Sequence, residues 1–142
     1  MTSTATAQSA TASGLRDRGA AASSLYERLG GARGIAAIVD GIIALHLPNP
    51  LIKTRFASVT PDRMPAFKKT VCDFFGAGSG GPEVYTGKDL VTAHKGMNIN
   101  EQELVAAVDD IVAALDRNGV GQTEKNEVVA ILYSLKDQVL RL

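Results

Sequence analysis

Apolar residues recur at helical spacing along most of the chain, and no segment alternates convincingly with a period of two. Ser24-Leu25-Tyr26-Glu27 reads as a capping box, in which serine and glutamate each satisfy a free backbone N–H, and Gly30-Gly31 stops that short helix. Ile35, Ile38, Val39, Ile42, Leu45 and His46 then share one stripe, which ends at Pro48-Asn49-Pro50 because proline cannot continue the hydrogen-bond ladder. Residues 51–59 form a weakly periodic connection carrying Phe56. Thr60-Pro61-Asp62 predicts a new helix start, with Pro65 tolerable only in the first turn, and Phe67, Val71, Phe74 and Phe75 follow on one face. This helix is expected to end at Gly76, since Gly76-Ala77-Gly78-Ser79-Gly80-Gly81-Pro82 is too flexible to extend it. Thr86 or Asp89 caps a short helix with Leu90, Ala93, His94 and Met97. A second capping box at Asn100 to Glu103 opens a longer helix with Leu104, Ala107, Val108, Ile111 and Leu115, closed by Asn118-Gly119. The last helix is expected from near Thr123, carrying Val128, Ile131, Leu132, Leu135 and Leu142. The fold class is all-α.

Residues 1–23 are rich in Ala, Ser, Thr and Gly, with Leu15 as the one large apolar side chain, so they are expected to form a flexible tail ahead of a domain at 24–142. That length supports a core without disulfide or metal staples. Fifteen basic residues balance fifteen acidic ones, leaving no electrostatic footprint for nucleic acid or an anionic membrane. Cys72 is the only cysteine, which excludes a disulfide framework and a multi-cysteine zinc site within the chain. No apolar run approaches the ~18 residues of a membrane span, and residues 1–23 lack the order of a secretory signal, so a cytoplasmic protein is expected.

Two features exceed what a plain helix bundle requires. The glycine-rich stretch before His94 is either a loose loop or a sharp wrap whose turns forbid side chains. A phosphate-loop reading of it fails, because Asp89 follows Gly87-Lys88, Pro82 interrupts the motif, and no strand precedes it. His94 lies on the stripe of Leu90 and Met97, as either a packed core histidine or a ligand. A neutral imidazole is the usual axial ligand of haem iron, and Phe56, Phe67, Phe74 and Phe75 could wall an apolar slot. The spacing allows haem without demanding it.

The stretches Ser24-Leu25-Tyr26-Glu27-Arg28-Leu29-Gly30-Gly31, Gly80-Gly81-Pro82-Glu83-Val84-Tyr85-Thr86-Gly87-Lys88-Asp89-Leu90 and Ala93-His94-Lys95-Gly96-Met97 resemble the truncated haemoglobins of group I. The resemblance runs from about Ser24 to the C-terminus. It implies a truncated globin fold, a two-over-two helical sandwich around haem b, with His94 as the proximal iron ligand. It further places Phe56 against the haem face, Phe67 and Val71 on the distal side, and Phe74 and Phe75 along the pocket. Tyr85 and Lys88 would meet the propionates, and Met97 and Ile99 would pack beneath the ring.

The departures from that family bear on chemistry. Many members carry a tyrosine and a glutamine that hydrogen-bond the gas; the matching position here is Ile43, and the distal positions read Phe67 and Val71. His46, one turn beyond Ile43, is the polar residue of this distal set, as a packed histidine or as a donor. Lys68 and Lys69 flank the distal positions and are expected at the surface. A mostly apolar distal pocket implies reversible binding of oxygen, nitric oxide or carbon monoxide with fast oxygen release, because a donor that would stabilise partial negative charge is missing. Two alternatives are nitric oxide dioxygenation with an electron-donating reductase, and a cofactor-free helical interaction module.

Overall fold

A computed structural model describes residues 23–142. The expected flexible tail lies outside the described residues except for Ser23. Six α-helices appear among the described residues: α1 (Leu25–Arg28), α2 (Gly31–His46), α3 (Met64–Gly78), α4 (Leu90–His94), α5 (Glu101–Arg117) and α6 (Gln122–Ser134). Two 3-10 turns, Lys53–Phe56 and Lys136–Gln138, follow α2 and α6.

Both capping boxes form as the sequence predicts. Ser24 accepts from the Glu27 N–H at 3.1 Å and donates its own N–H to Glu27 at 3.2 Å; Asn100 and Glu103 do the same at 2.9 and 3.1 Å. Gly30 (φ 99°) makes the left-handed turn from α1 into α2, and Gly119 (φ 74°) the one after α5. In α2 the stripe buries Ile35, Ile38, Val39, Ile42 and Ile43. That face meets Ile111, Ala114 and Leu115 of α5 and Val128 of α6 in a single core. The pair α2–α3 lies against the pair α5–α6, which is the two-over-two arrangement. At the α2–α5 crossing a Cβ on Gly41 would stand 3.3 Å from the Ala114 Cβ, so small residues set how closely these helices approach.

Three boundaries differ from the sequence expectation. The α3 helix starts at Met64, because residues 60–64 form a turn in which Thr60 O accepts the N–H groups of Arg63 and Met64; Pro65 does sit in the first turn. It then runs past Gly76 to Gly78, since Ser79 donates through its N–H and its hydroxyl to Phe75 O and completes the final turn. Leu142 is not in the last helix, which stops at Ser134; residues 136–142 fold back, and Leu140 forms a parallel bridge with Ile99.

The glycine-rich stretch is a tight wrap. Tyr26 N–H donates to Ser79 O at 2.9 Å and its hydroxyl to Glu83 Oε2 at 3.0 Å, tying α1 to the end of α3. A Cβ on Gly81 would lie 2.3 Å from the Tyr26 ring, and one on Gly76 2.5 Å from Glu83 Oε1. These glycines are therefore required by close packing, more than by loop mobility. No helix among the described residues is long and apolar enough to cross a membrane.

Candidate functional site

A helix of only five residues is not stable by itself. Two features hold α4 in place and with it His94. At the N-terminus Asp89 accepts from the Thr92 N–H at 2.9 Å and the Thr92 hydroxyl at 3.0 Å. Those two bonds, the backbone one first, hold the Asp89 carboxyl below the usual carboxylate range. One turn later His94 Nδ1 lies 2.8 Å from Leu90 O. A carbonyl oxygen only accepts, so Nδ1 carries a proton, and in the neutral imidazole this tautomer leaves the Nε2 lone pair as the ligating one. Fixing one imidazole nitrogen on a backbone carbonyl is how proteins orient a metal-binding histidine.

His94 lines a cavity of about 280 Å³ between the helix pairs. Ile42, Ile43 and His46 of α2, Phe56, and Phe67, Val71, Phe74 and Phe75 of α3 form one side. Leu90, His94, Met97 and Ile99 contribute from the α4 segment. Nearly all of α3's inner side chains are only half-buried, because they face this opening instead of packed neighbours. Ring contacts run along the wall: His46 stacks on Phe56 at 5.4 Å, Phe56 meets Phe67 edge-on at 6.1 Å, and Phe74 meets Phe75 edge-on at 5.9 Å.

His46 Nδ1 lies 2.9 Å from Asp110 Oδ2, which also accepts from the Asn49 amide at 3.0 Å. Its ring is therefore fixed from the side of α5. Tyr85 stands apart from this cavity: it packs edge-on against Phe74 at 5.6 Å and lines a second, adjoining apolar hollow that shares Phe74, Phe75, Leu132 and Leu135. The Tyr85 hydroxyl donates to Lys88 O at 2.5 Å, and Lys88 is exposed and does not line either hollow. Lys68 pairs with Asp40 at 2.9 Å and Lys69 with Asp73 at 2.7 Å, and neither lines the cavity.

Sequence reasoning missed Arg55 and Glu103. Arg55 binds Glu103 through Nε and Nη2 at 2.7 and 2.9 Å and donates from Nη1 to Met97 O at 2.7 Å, so a charged pair closes one edge of the cavity. The guanidinium holds the Glu103 carboxyl below its ordinary value. Leu104, Ala107, Val108, Leu132 and Leu135 also line the cavity, although their stripes read only as core, and so does Val139, which was assigned to no stripe. Glu103 could have been suspected, because a capping glutamate so near a ligand helix is placed for a second partner. Arg55 carried no signal.

The residues present fit a haem group: an apolar slot with aromatic walls, and an imidazole whose Nδ1–H is held on a carbonyl so that Nε2 is free to ligate. Among the described residues no cluster of three or more His, Cys, Asp or Glu could hold a bare metal ion.

Residues 24–141 match the Bacterial-like globin family. The chain is 29% identical over 116 residues to the group 1 truncated hemoglobin of Tetrahymena pyriformis, covering 82% of this chain and 93% of that one. The crystal structure of that protein in the Fe(III) form covers 84% of this chain and 100% of its own, with a TM-score of 0.79. Group 1 truncated hemoglobin GlbN of Synechocystis is 31% identical over 113 residues, 77% of this chain and 89% of that one. The 2/2 hemoglobin of Synechococcus, solved in the cyanomet state with covalently attached heme, is similar at TM-score 0.75 and 26% identity, over 83% of this chain and 98% of its own. With the helical fold in agreement with this likeness, the chain belongs to the group 1 truncated haemoglobins.

Proposed function

We propose that the protein holds haem b through His94 Nε2 and binds diatomic gases reversibly against a mostly apolar wall. The observation that carries this reading is the His94 Nδ1–Leu90 O bond in a ring lining an apolar cavity. When bound, the haem supplies an iron centre with one position open to a small gas. His94 fixes that centre, and Met97 and Ile99 fill the space beside it. Phe56, Phe74 and Phe75 keep water away and hold the ring by apolar contact. Lys88 is assigned to the propionates, with its loop held by the Tyr85 hydroxyl.

Ile43, Phe67 and Val71 would offer a gas held there no hydrogen bond, so a ligand that gains partial negative charge, such as oxygen, would be held less firmly, and carbon monoxide would lose less. His46, the polar residue of this distal set, is held through Nδ1 by Asp110.

The test is an absorption spectrum of purified protein with added hemin, for wild type and His94→Ala. A strong Soret band that His94→Ala abolishes or shifts supports the assignment. Saturable uptake absent from wild type overturns it and favours a cofactor-free helical interaction module. In stopped-flow measurements, Val71→Gln adds a donor and is expected to slow oxygen release by about tenfold, the equivalent of one hydrogen bond. A wild-type oxygen release already as slow as that of Val71→Gln contradicts the apolar reading.

A further inference from the structure

We propose that residues 136–142 form a backbone clasp that positions His94 by clamping the segment that follows it. This rests on the haem reading above.

Asn98 (φ 48°) and Arg141 (φ 56°) are the two non-glycine residues with left-handed backbone among the described residues, and they lie on the two sides of one contact. Asn98 N–H donates to Leu142 O at 2.9 Å, and Arg141 N–H donates to Ile99 O at 2.9 Å, flanking the parallel Ile99–Leu140 bridge. Asparagine tolerates this conformation, but arginine takes it rarely, and persists there when surrounding contacts over-determine it. The Arg141 side chain also pairs with Glu101 at the start of α5.

The clamped segment is held from the opposite direction as well. Arg55, at the end of the cavity formed by the turn after α2, donates to Met97 O at 2.7 Å. Residues 97–99 are thus fixed by three hydrogen bonds from two separate parts of the chain. Met97 N–H in turn donates to His94 O at 3.0 Å through a turn at Gly96 (φ 86°). Because α4 has only five residues, it cannot fix the His94 ring unaided. Its position is set by the Asp89 cap on one side and by the clasp on the other. The clasp is also part of the wall, since Val139 lines the cavity.

The residues of the clasp are positioning residues, and Arg141 allows the backbone role to be separated from the side chain. Arg141→Gly keeps the N–H and accepts a left-handed φ, whereas Arg141→Pro removes the N–H and cannot adopt that φ. Hemin-loaded wild type, Arg141→Gly and Arg141→Pro are compared by haem transfer to excess apomyoglobin and by the iron–histidine stretching frequency in the ferrous state. Arg141→Pro is expected to release haem about tenfold faster, with a lowered frequency, as loss of a hydrogen bond and its neighbour implies. Arg141→Gly is expected to stay within about twofold of wild type. The proposal is overturned if Arg141→Pro matches wild type, or if Arg141→Gly behaves like Arg141→Pro, which would assign the effect to the Glu101 ion pair. If Arg141→Pro does not fold, amide exchange of the wild-type chain decides: protection of the Asn98 and Arg141 amides supports the clasp, and exchange at free-loop rates overturns it. A wild type without a Soret band overturns the haem reading instead, and is seen before any variant is compared.

Discussion

Asp89 makes a testable link between proton binding and local structure. Its carboxyl is held below the usual range by bonds from Thr92, first the N–H and then the hydroxyl. A group with a depressed folded-state value stabilises the fold above its unfolded pKa, near about 3.9, and that contribution disappears as pH falls through the folded value. The urea stability of wild type minus that of Asp89→Asn is therefore expected to be constant from neutral pH to about pH 5 and to shrink below about pH 4. A difference that grows on acidification would show that the charged cap is not what holds α4. The cap was legible in the sequence as one of two candidates, and His94 as an inward histidine, because both signals are local. The Asp110 partner of His46 was not, since its pairing joins residues brought together only by packing of α2 on α5. The same holds for Arg55, whose partners Met97 and Glu103 lie far along the chain.

At the scale of elements, sequence periodicity located every long helix, and the errors lie at ends where tertiary contacts override local preference. Glycines argued for a stop at Gly76, yet the Ser79 cap and the Glu83 side chain against Gly76 carry α3 onward. A helix rule that sees only intrinsic propensity has no means to count either contact. The wrap itself gives a sharp test. A methyl group on Gly81 would collide with the Tyr26 ring, which is anchored by the Glu83 bond, so relief requires moving α1 or the loop. Gly81→Ala is expected to destabilise the protein by about 1–3 kcal/mol, the usual cost of overpacking, read from the midpoint of chemical denaturation. A change near zero would mean that the ring swings away freely. The chain's final segment was misassigned for a different reason: Leu135 and Leu142 are about two helical turns apart, but Leu142 belongs to the fold-back against Ile99 and Asn98. Apolar spacing cannot distinguish a continued helix from a strap that half-buries the same residue.

For the whole molecule, stability and site are served by different faces of the same sandwich. Leu115 is 1% exposed and Ala114 and Val39 are 0% exposed at the centre, whereas the inner face of α3 looks onto the cavity. Leu115→Ala is expected to cost about 2–5 kcal/mol in a cooperative denaturation experiment, because it opens a void in that centre. A ligand that binds only the folded state adds stability by mass action, about 2.7 kcal/mol at a hundredfold excess over its dissociation constant. Hemin should therefore raise the denaturation midpoint of wild type far more than that of His94→Ala, and equal increments would count against His94 as the anchor. The close crossing of Gly41 and Ala114 carries a separate consequence for how such a pocket can change over generations. Helix α2 bears Ile42, Ile43 and His46, so its distance from α5 sets the breadth of the cavity. Enlarging either small residue would displace that wall without altering one atom that a ligand touches. Pocket breadth and pocket chemistry can thus drift independently, and a lineage can reshape the cavity through a position that inspection of the lining alone would dismiss.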